Sequence, residues 1–175
     1  KKLTKFATAI ACATALFSTG VVAEWAPKGP IKMVIAFKAG GGADTSGRLI
    51  AAEVEKATGW KIIPEQITGK GGVNAAKALK DMPNDGTAIA LMVTESLGYN
   101  AAAAPKADVK PADFTGLTTT AGFQMGVVSK AGKGWKSFDD MLKAAKGGEK
   151  VSFGVMSPKL GDLAYLLGKA QGVEF

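Results

Sequence analysis

Residues 31–37 (IKMVIAF) are almost wholly apolar and run straight into a glycine loop, 38–43 (KAGGGA). A strand that does not alternate polar with apolar residues offers no face to water, so both of its faces must be covered. The same order returns twice. Residues 61–64 read as a second, short strand ahead of the loop 68–72 (TGKGG), and residues 87–93 (TAIALMV) as a third strand ahead of Thr94, Glu95 and Ser96. After the first loop the sequence predicts a helix opening on Asp44 or Thr45 as cap, with Leu49, Ala52, Val54 and Ala57 as its apolar face and Gly59 as its stop. A second helix is predicted over 73–82, closed by the turn 83–86 (PNDG). Strands alternating with helices give an α/β fold around a parallel sheet, and in such sheets ligands gather beyond the carboxyl ends of the strands. Three candidate tips follow: 38–45, 68–74 and 94–96.

Residues 25–30 read as an extended lead-in and residues 98–113 as a connector. Strands are then expected over 114–120 and 124–129. Ser137 can cap a helix over 138–146, with Asp139 and Asp140 in its first turn and Lys143 and Lys146 in its last, the polarity a helix dipole favours. A strand at 151–154, a loop over 155–161 and a helix over 162–171 complete the reading. A second α/β unit therefore begins near residue 115 and is unfinished at Phe175.

Lys1, Lys2 and Lys5 precede a charge-free stretch, 6–23, whose apolar centre is 7–17 and which ends Val21-Val22-Ala23. That is the three-part layout of an export signal, so the mature chain is expected to begin at Glu24, in the periplasm. The same stretch has two other readings: an uncleaved membrane anchor, or, through Cys12, a lipid attachment site.

Several function classes fall away on composition. The chain has no His, which removes Ser-His-Asp chemistry and any imidazole base. Its one cysteine, Cys12, lies in the leader, so the mature chain is neither a disulfide scaffold nor a thiol enzyme, and no metal or cofactor is expected. Net charge is +7. Without the leader, 19 basic and 15 acidic residues remain, scattered and with a single arginine, Arg48. No basic cluster with interleaved aromatics exists, so nucleic acid is not an expected partner.

The loops carry the chemistry that remains. Gly40, Gly41 and Gly42 let the backbone approach a ligand, and the helix that follows through Asp44 and Thr45 turns free N–H groups and partial positive charge toward an anion. No nucleotide-binding glycine pattern fits. A plain tight turn is the competing reading. Gly71 and Gly72 repeat the arrangement at the second tip. Thr94, Glu95 and Ser96 offer hydroxyls and amides to a carboxylate, although Glu95 would repel one unless it faces solvent or a water. These three residues also read as the cap of a following helix.

Taken in order, the run from Trp25 through Pro27, Gly29 and Pro30 to Ile31, then Ile35-Ala36-Phe37 and Gly40-Gly41-Gly42-Ala43-Asp44, resembles the extracytoplasmic solute receptors of the Bug type, the TctC-like binding proteins of tripartite tricarboxylate transporters. Gly69-Lys70-Gly71-Gly72-Val73-Asn74, Asn84-Asp85-Gly86-Thr87, and Val151-Ser152-Phe153-Gly154 leading to Asp162-Leu163 extend the likeness over the mature chain. The resemblance implies a type II, two-lobed periplasmic-binding-protein fold: residues 24–113 the first lobe, residues 114–175 the beginning of the second, the chain truncated within it. It implies a monomer that closes on a small organic anion, in some relatives for delivery to a two-component membrane permease. Phe37, Gly40, Gly41, Gly42, Asp44 and Thr45, with Thr94, Glu95 and Ser96, would form one half of the pocket. Ser157, Gly161 and Asp162 would form the other. Lys38 and Ala39 stand where relatives often have prolines, and Asp162 where many have His. The alternative expectation is an exported hydrolase-like enzyme using Ser or Asp/Glu at the same loops.

Overall fold

A computed structural model describes residues 25–175. The leader reading for 1–23, with Cys12, lies outside the described residues. The chain runs β1 (Ile31–Ile35), α1 (Gly42–Thr58), β2 (Ile62–Gln66), a 3-10 turn (Lys70–Gly72), α2 (Val73–Lys80), β3 (Ala88–Leu91), α3 (Thr94–Leu97), α4 (Tyr99–Ala102), α5 (Phe138–Lys146) and α6 (Pro158–Gln171). The three strands form a parallel sheet in the order β2-β1-β3, with Met33 level with Pro64 and Ile89.

The pleat of β1 explains why its sequence is apolar throughout. Ile31, Met33 and Ile35 point to one face and pack with Ala51, Ile50 and Val54 of α1. Val34, and Ala36 just past the strand, point to the other face and pack with Ala75 of α2. Lys32 is the exception, and its ammonium pairs with Glu65 on β2 at 2.9 Å. The α/β layering expected from the sequence is thus the arrangement found.

Helix α1 sits differently on the sheet than expected. Leu49 is 62% exposed, and Ala52 and Ala57 also face water; the buried stripe is Asp44, Gly47 and Ala51, flanked by Ala43, Ile50 and Val54. The cause is Gly47. A Cβ there would lie 2.9 Å from Ile35 Cδ1 and 3.3 Å from both Met33 Sδ and Leu91 Cδ2. The helix turns its smallest residue to the sheet so that backbone and strand can approach closely. It also starts earlier than predicted, with Gly41 rather than Asp44 or Thr45 as cap. Gly59 does end it, at φ 74°, with its N–H donating to Glu55 O at 2.8 Å.

Beyond residue 113 the helices match the sequence better than the strands do. Ser137 caps α5: its Oγ accepts from the Asp140 N–H at 3.2 Å, and Asp140 Oδ2 accepts from the Ser137 N–H at 3.1 Å. Ser137→Ala is expected to cost about 1 kcal/mol in urea denaturation, with faster amide exchange confined to the first turn of α5. Helix α6 begins at Pro158, ahead of the expected Asp162, because Ser157 followed by Pro is itself a helix start. Segments 114–120, 124–129 and 151–154 are not strands. A strand is stable only with a neighbour to bond, and no described segment pairs with them. Phe123, Met125 and Val127 keep the period-two spacing of a strand yet stand exposed. The described residues of this half contain a small core of Met141, Leu142 and Val151 with Trp135, Phe153 and Phe175, and no second sheet.

Candidate functional site

The carboxyl ends of the three parallel strands lie along one edge of the sheet. Pairing continues one residue past β1 on each side: Ile67 N–H donates to Ile35 O at 3.0 Å, and Ala36 N–H to Leu91 O at 3.2 Å. From this edge leave the loop to α1, the glycine loop to α2, and α3.

At the first tip Phe37 is half-buried against Val34, Ala36 and Ala75, where its ring supports the loop. Gly41 N–H donates to Lys38 O at 3.3 Å, closing the turn, and Gly40 takes φ 77°. Asp44, 5% exposed, reaches back from the first turn of α1. Its Oδ2 accepts from Gly40 N–H at 2.9 Å; its Oδ1 accepts from Arg48 Nε at 2.9 Å and from Gln66 Nε2 at the end of β2. The Gly40 N–H, then Gln66 and Arg48, hold the Asp44 carboxyl below the usual Asp value, against an opposing push from burial. Both oxygens therefore lock the loop to the helix and to β2. Thr45 N–H is committed to Gly41 O at 2.9 Å. The amides of Gly42, Ala43 and Asp44 have no partner within the helix, and no side chain caps them.

A carboxyl with a lowered folded pKa stabilises the fold fully above its unfolded value, 3.8, and this contribution is withdrawn as pH falls through the folded value. Asp44→Asn is therefore expected to make the acid limb of a stability–pH curve shallower below about pH 4, read as the urea midpoint at a series of pH values. Asp85, Asp113 and Asp140 are lowered too, so the limb flattens without vanishing.

The second tip is wound left-handed. Lys70, Gly71 and Gly72 have φ of 50°, 61° and 93°. That winding aims the Gly71 carbonyl at α3 and α4, where it accepts from Ser96 Oγ at 2.8 Å and Asn100 Nδ2 at 3.0 Å. Ser96 and Asn100 are almost wholly buried. The fit is close: a Cβ at Gly72 would fall 2.1 Å from Ser96 Oγ, and one at Gly71 would fall 2.5 Å from Asn100 Nδ2. Gly71 and Gly72 thus serve packing between loop and helices.

The third tip meets the start of α6. Thr94 is exposed at the first position of α3. Glu95 pairs with Lys159 at 2.7 Å, so it stands as half of an ion pair. Tyr99 Oη donates to Asp162 Oδ2 at 2.5 Å, which pushes the Tyr99 hydroxyl above its ordinary value. Ser157 Oγ accepts from Leu160 N–H at 3.4 Å, its Cβ lies 3.2 Å from where a Gly71 Cβ would be, and Gly161 N–H donates to Ser157 O at 3.2 Å.

Two groups result. Gly71, Gly72, Glu95, Ser96, Ser157 and Asp162 come together where α6 meets the second and third tips. Phe37, Gly40, Gly41, Gly42, Asp44 and Thr45 form the neighbouring group at the first tip, with the Phe123 ring 4.0 Å from the position of a Gly42 Cβ. Beside the first group lies a cavity of about 410 Å³ bounded by Lys70, Asn100, Lys106 and Pro158. Sequence reasoning missed Lys159, Tyr99, Asn100 and Gln66. Lys159 is two residues past a Ser-Pro helix start, a signal that was present. The others are ordinary polar residues whose partners lie 22 to 63 positions away. Among the described residues no group of three or more His, Cys, Asp or Glu could hold a metal ion, and no helix is long and apolar enough to cross a membrane.

No family model matches the chain. It is similar to the UPF0065 protein in gbd 5'region of Cupriavidus necator, with 29% identity over 177 residues covering 95% of this chain and 53% of that protein. The chain thus spans about half the length of the curated relative it matches. Among solved structures, R. palustris Rpa4515 with adipate shares 30% identity over 37% of this chain and 21% of its own, at a TM-score of 0.35.

Proposed function

We propose that this chain is an exported solute receptor that binds a small, carboxylate-bearing molecule without transforming it. Residues 1–23 are a leader removed after Ala23, residues 24–113 a first ligand-binding lobe, and residues 114–175 the beginning of a second. The carrying observation is the meeting of α6 with the strand tips: residues far apart in sequence converge at the edge of the sheet where α/β folds bind ligands. The free amides of Gly42, Ala43 and Asp44 at the start of α1 supply the anion contact, and Gly40 and Gly41 let the ligand approach them. Asp44 keeps that loop in shape. Ser157, Gly161 and Asp162 close over the ligand from α6.

Similarity to a longer protein over 95% of this chain supports reading the segment as one part of a longer protein. The hydrolase alternative draws no support from the cluster. Ser96 Oγ donates to Gly71 O, Ser157 Oγ caps α6, and Asp44, Glu95 and Asp162 each hold a donor. Among the described residues no base is hydrogen-bonded to the Ser96 or Ser157 hydroxyl. On this reading the receptor is a periplasmic monomer that serves either uptake or sensing, with a two-component membrane permease as its partner in the case of uptake.

Thermal denaturation of the full-length protein against mono-, di- and tricarboxylates, with amines and neutral sugars as controls, tests this. At least one acid is expected to raise the melting temperature saturably, since ligand at 100 times its Kd adds about 2.7 kcal/mol of stability. A flat response to every acid contradicts the proposal.

A further inference from the structure

We infer that Lys159 is a specificity-determining residue, which by pairing with Glu95 removes the negative charge that would otherwise stand at the tip of β3 and exclude an anionic ligand. The inference rests on the receptor reading given above.

Glu95 is the second residue of α3, four residues beyond Leu91 at the end of β3, and its side chain is partly exposed. Its backbone neighbour Ser96 is fully buried against the second glycine loop. Glu95 and Lys159 therefore flank residues that touch the second glycine loop, Ser96 through the Gly71 carbonyl and Ser157 beside Gly71. A unit charge about 8 Å from a bound carboxylate weakens binding by on the order of tenfold at an effective dielectric of about 20 to 30. Lys159 Nζ, 2.7 Å from Glu95 Oε1, cancels that charge.

The neighbouring contact joins the same two segments, but its donor is neutral and leaves the charge of its acid in place. Asp162 is the acid of α6, and Tyr99 of α4 is its donor at 2.5 Å. Each segment thus brings one acid, and of the two only Glu95 meets a counter-charge from the opposite segment. Sequence separations of 64 and 63 residues exclude local helix pairing as the reason. A pair as accessible as this one contributes little to stability, because water screens it and two long side chains must be ordered. Its place beside the loops gives it a role in what they accept.

The competing role for Lys159 is direct contact with the ligand, and charge removal separates the two. Calorimetry on the full-length protein would use the acid that raises its melting temperature most. Lys159→Met is expected to raise Kd about tenfold by leaving Glu95 bare. Glu95→Gln with Lys159→Met removes both charges and is expected to return Kd to within about threefold of wild type, while Glu95→Gln alone bares the Lys159 cation and is expected to lower Kd. Melting curves should show all three variants folded, within about 2 °C of wild type. A double variant as weak as Lys159→Met overturns the inference, since Lys159 would then be touching the ligand. Unchanged binding in Lys159→Met overturns it as well, with the receptor reading intact. A wild-type protein that binds no acid overturns both.

Discussion

Gly72→Ala is expected to destabilise the protein by about 3 kcal/mol, among the larger effects a single methyl can have. Two costs add. The residue takes φ 93°, where a side chain costs on the order of 1 to 2 kcal/mol. The new Cβ would also stand 2.1 Å from Ser96 Oγ and 2.8 Å from Ser96 Cβ, with Ala36 Cβ at 3.4 Å behind it. Ser96 is 0% exposed and donates to Gly71 O, so it has no vacant rotamer to retreat into without giving up that bond. Chemical denaturation of Gly72→Ala and of Gly72→Ala with Ser96→Gly separates the two costs. Measured against Ser96→Gly alone, which already bears the loss of the bond to Gly71, the double variant should retain only the backbone part, about 1 to 2 kcal/mol.

At Gly47 the size of the added group decides the sign. Gly47→Val is expected to cost about 3 kcal/mol, from branching against a face where even a Cβ meets Ile35 Cδ1 at 2.9 Å and Met33 and Leu91 at 3.3 Å. Gly47→Ala sets that contact against the helix propensity gained, about 1 kcal/mol, and should fall within about 1 kcal/mol of wild type. The 2.9 Å neighbour is the end of a flexible side chain, which can move a few tenths of an ångström. Equilibrium urea titration of both variants checks the pair of values. A Val variant as stable as the Ala variant would mean that α1 does not lie on the sheet at this residue.

Both glycines mark what the sequence could and could not disclose. The parallel unit was legible because β1 has no polar face, and a strand of that kind fits few settings. Ser137 with Asp140, and Gly59, were legible because caps are local chemistry. The orientation of α1 was not, since a hydrophobic pattern scores Gly47 as neutral and pulls Leu49 inward. The start of α6 was missed by giving Asp162 more weight than Ser157-Pro158. The strands expected over 114–120 and 124–129 find no partner: strand-like sequence states only a preference, and pairing requires a neighbour. For the candidate site, the glycine loops and the third tip were legible as places. Their internal use was hidden: Asp44 turned onto its own loop, Ser96 onto Gly71, and Glu95 onto Lys159. Each depends on contacts across the fold that no short motif records.

Amide shift mapping locates the bound anion on the protein. The full-length, nitrogen-15-labelled protein would be titrated with the acid that protects it best. Saturable shifts are expected at the amides of Gly42, Ala43 and Asp44 together with those of Ser157 and of residues 159–162, all fitting one dissociation constant. Saturable shifts elsewhere, with these amides unmoved, would contradict that placement.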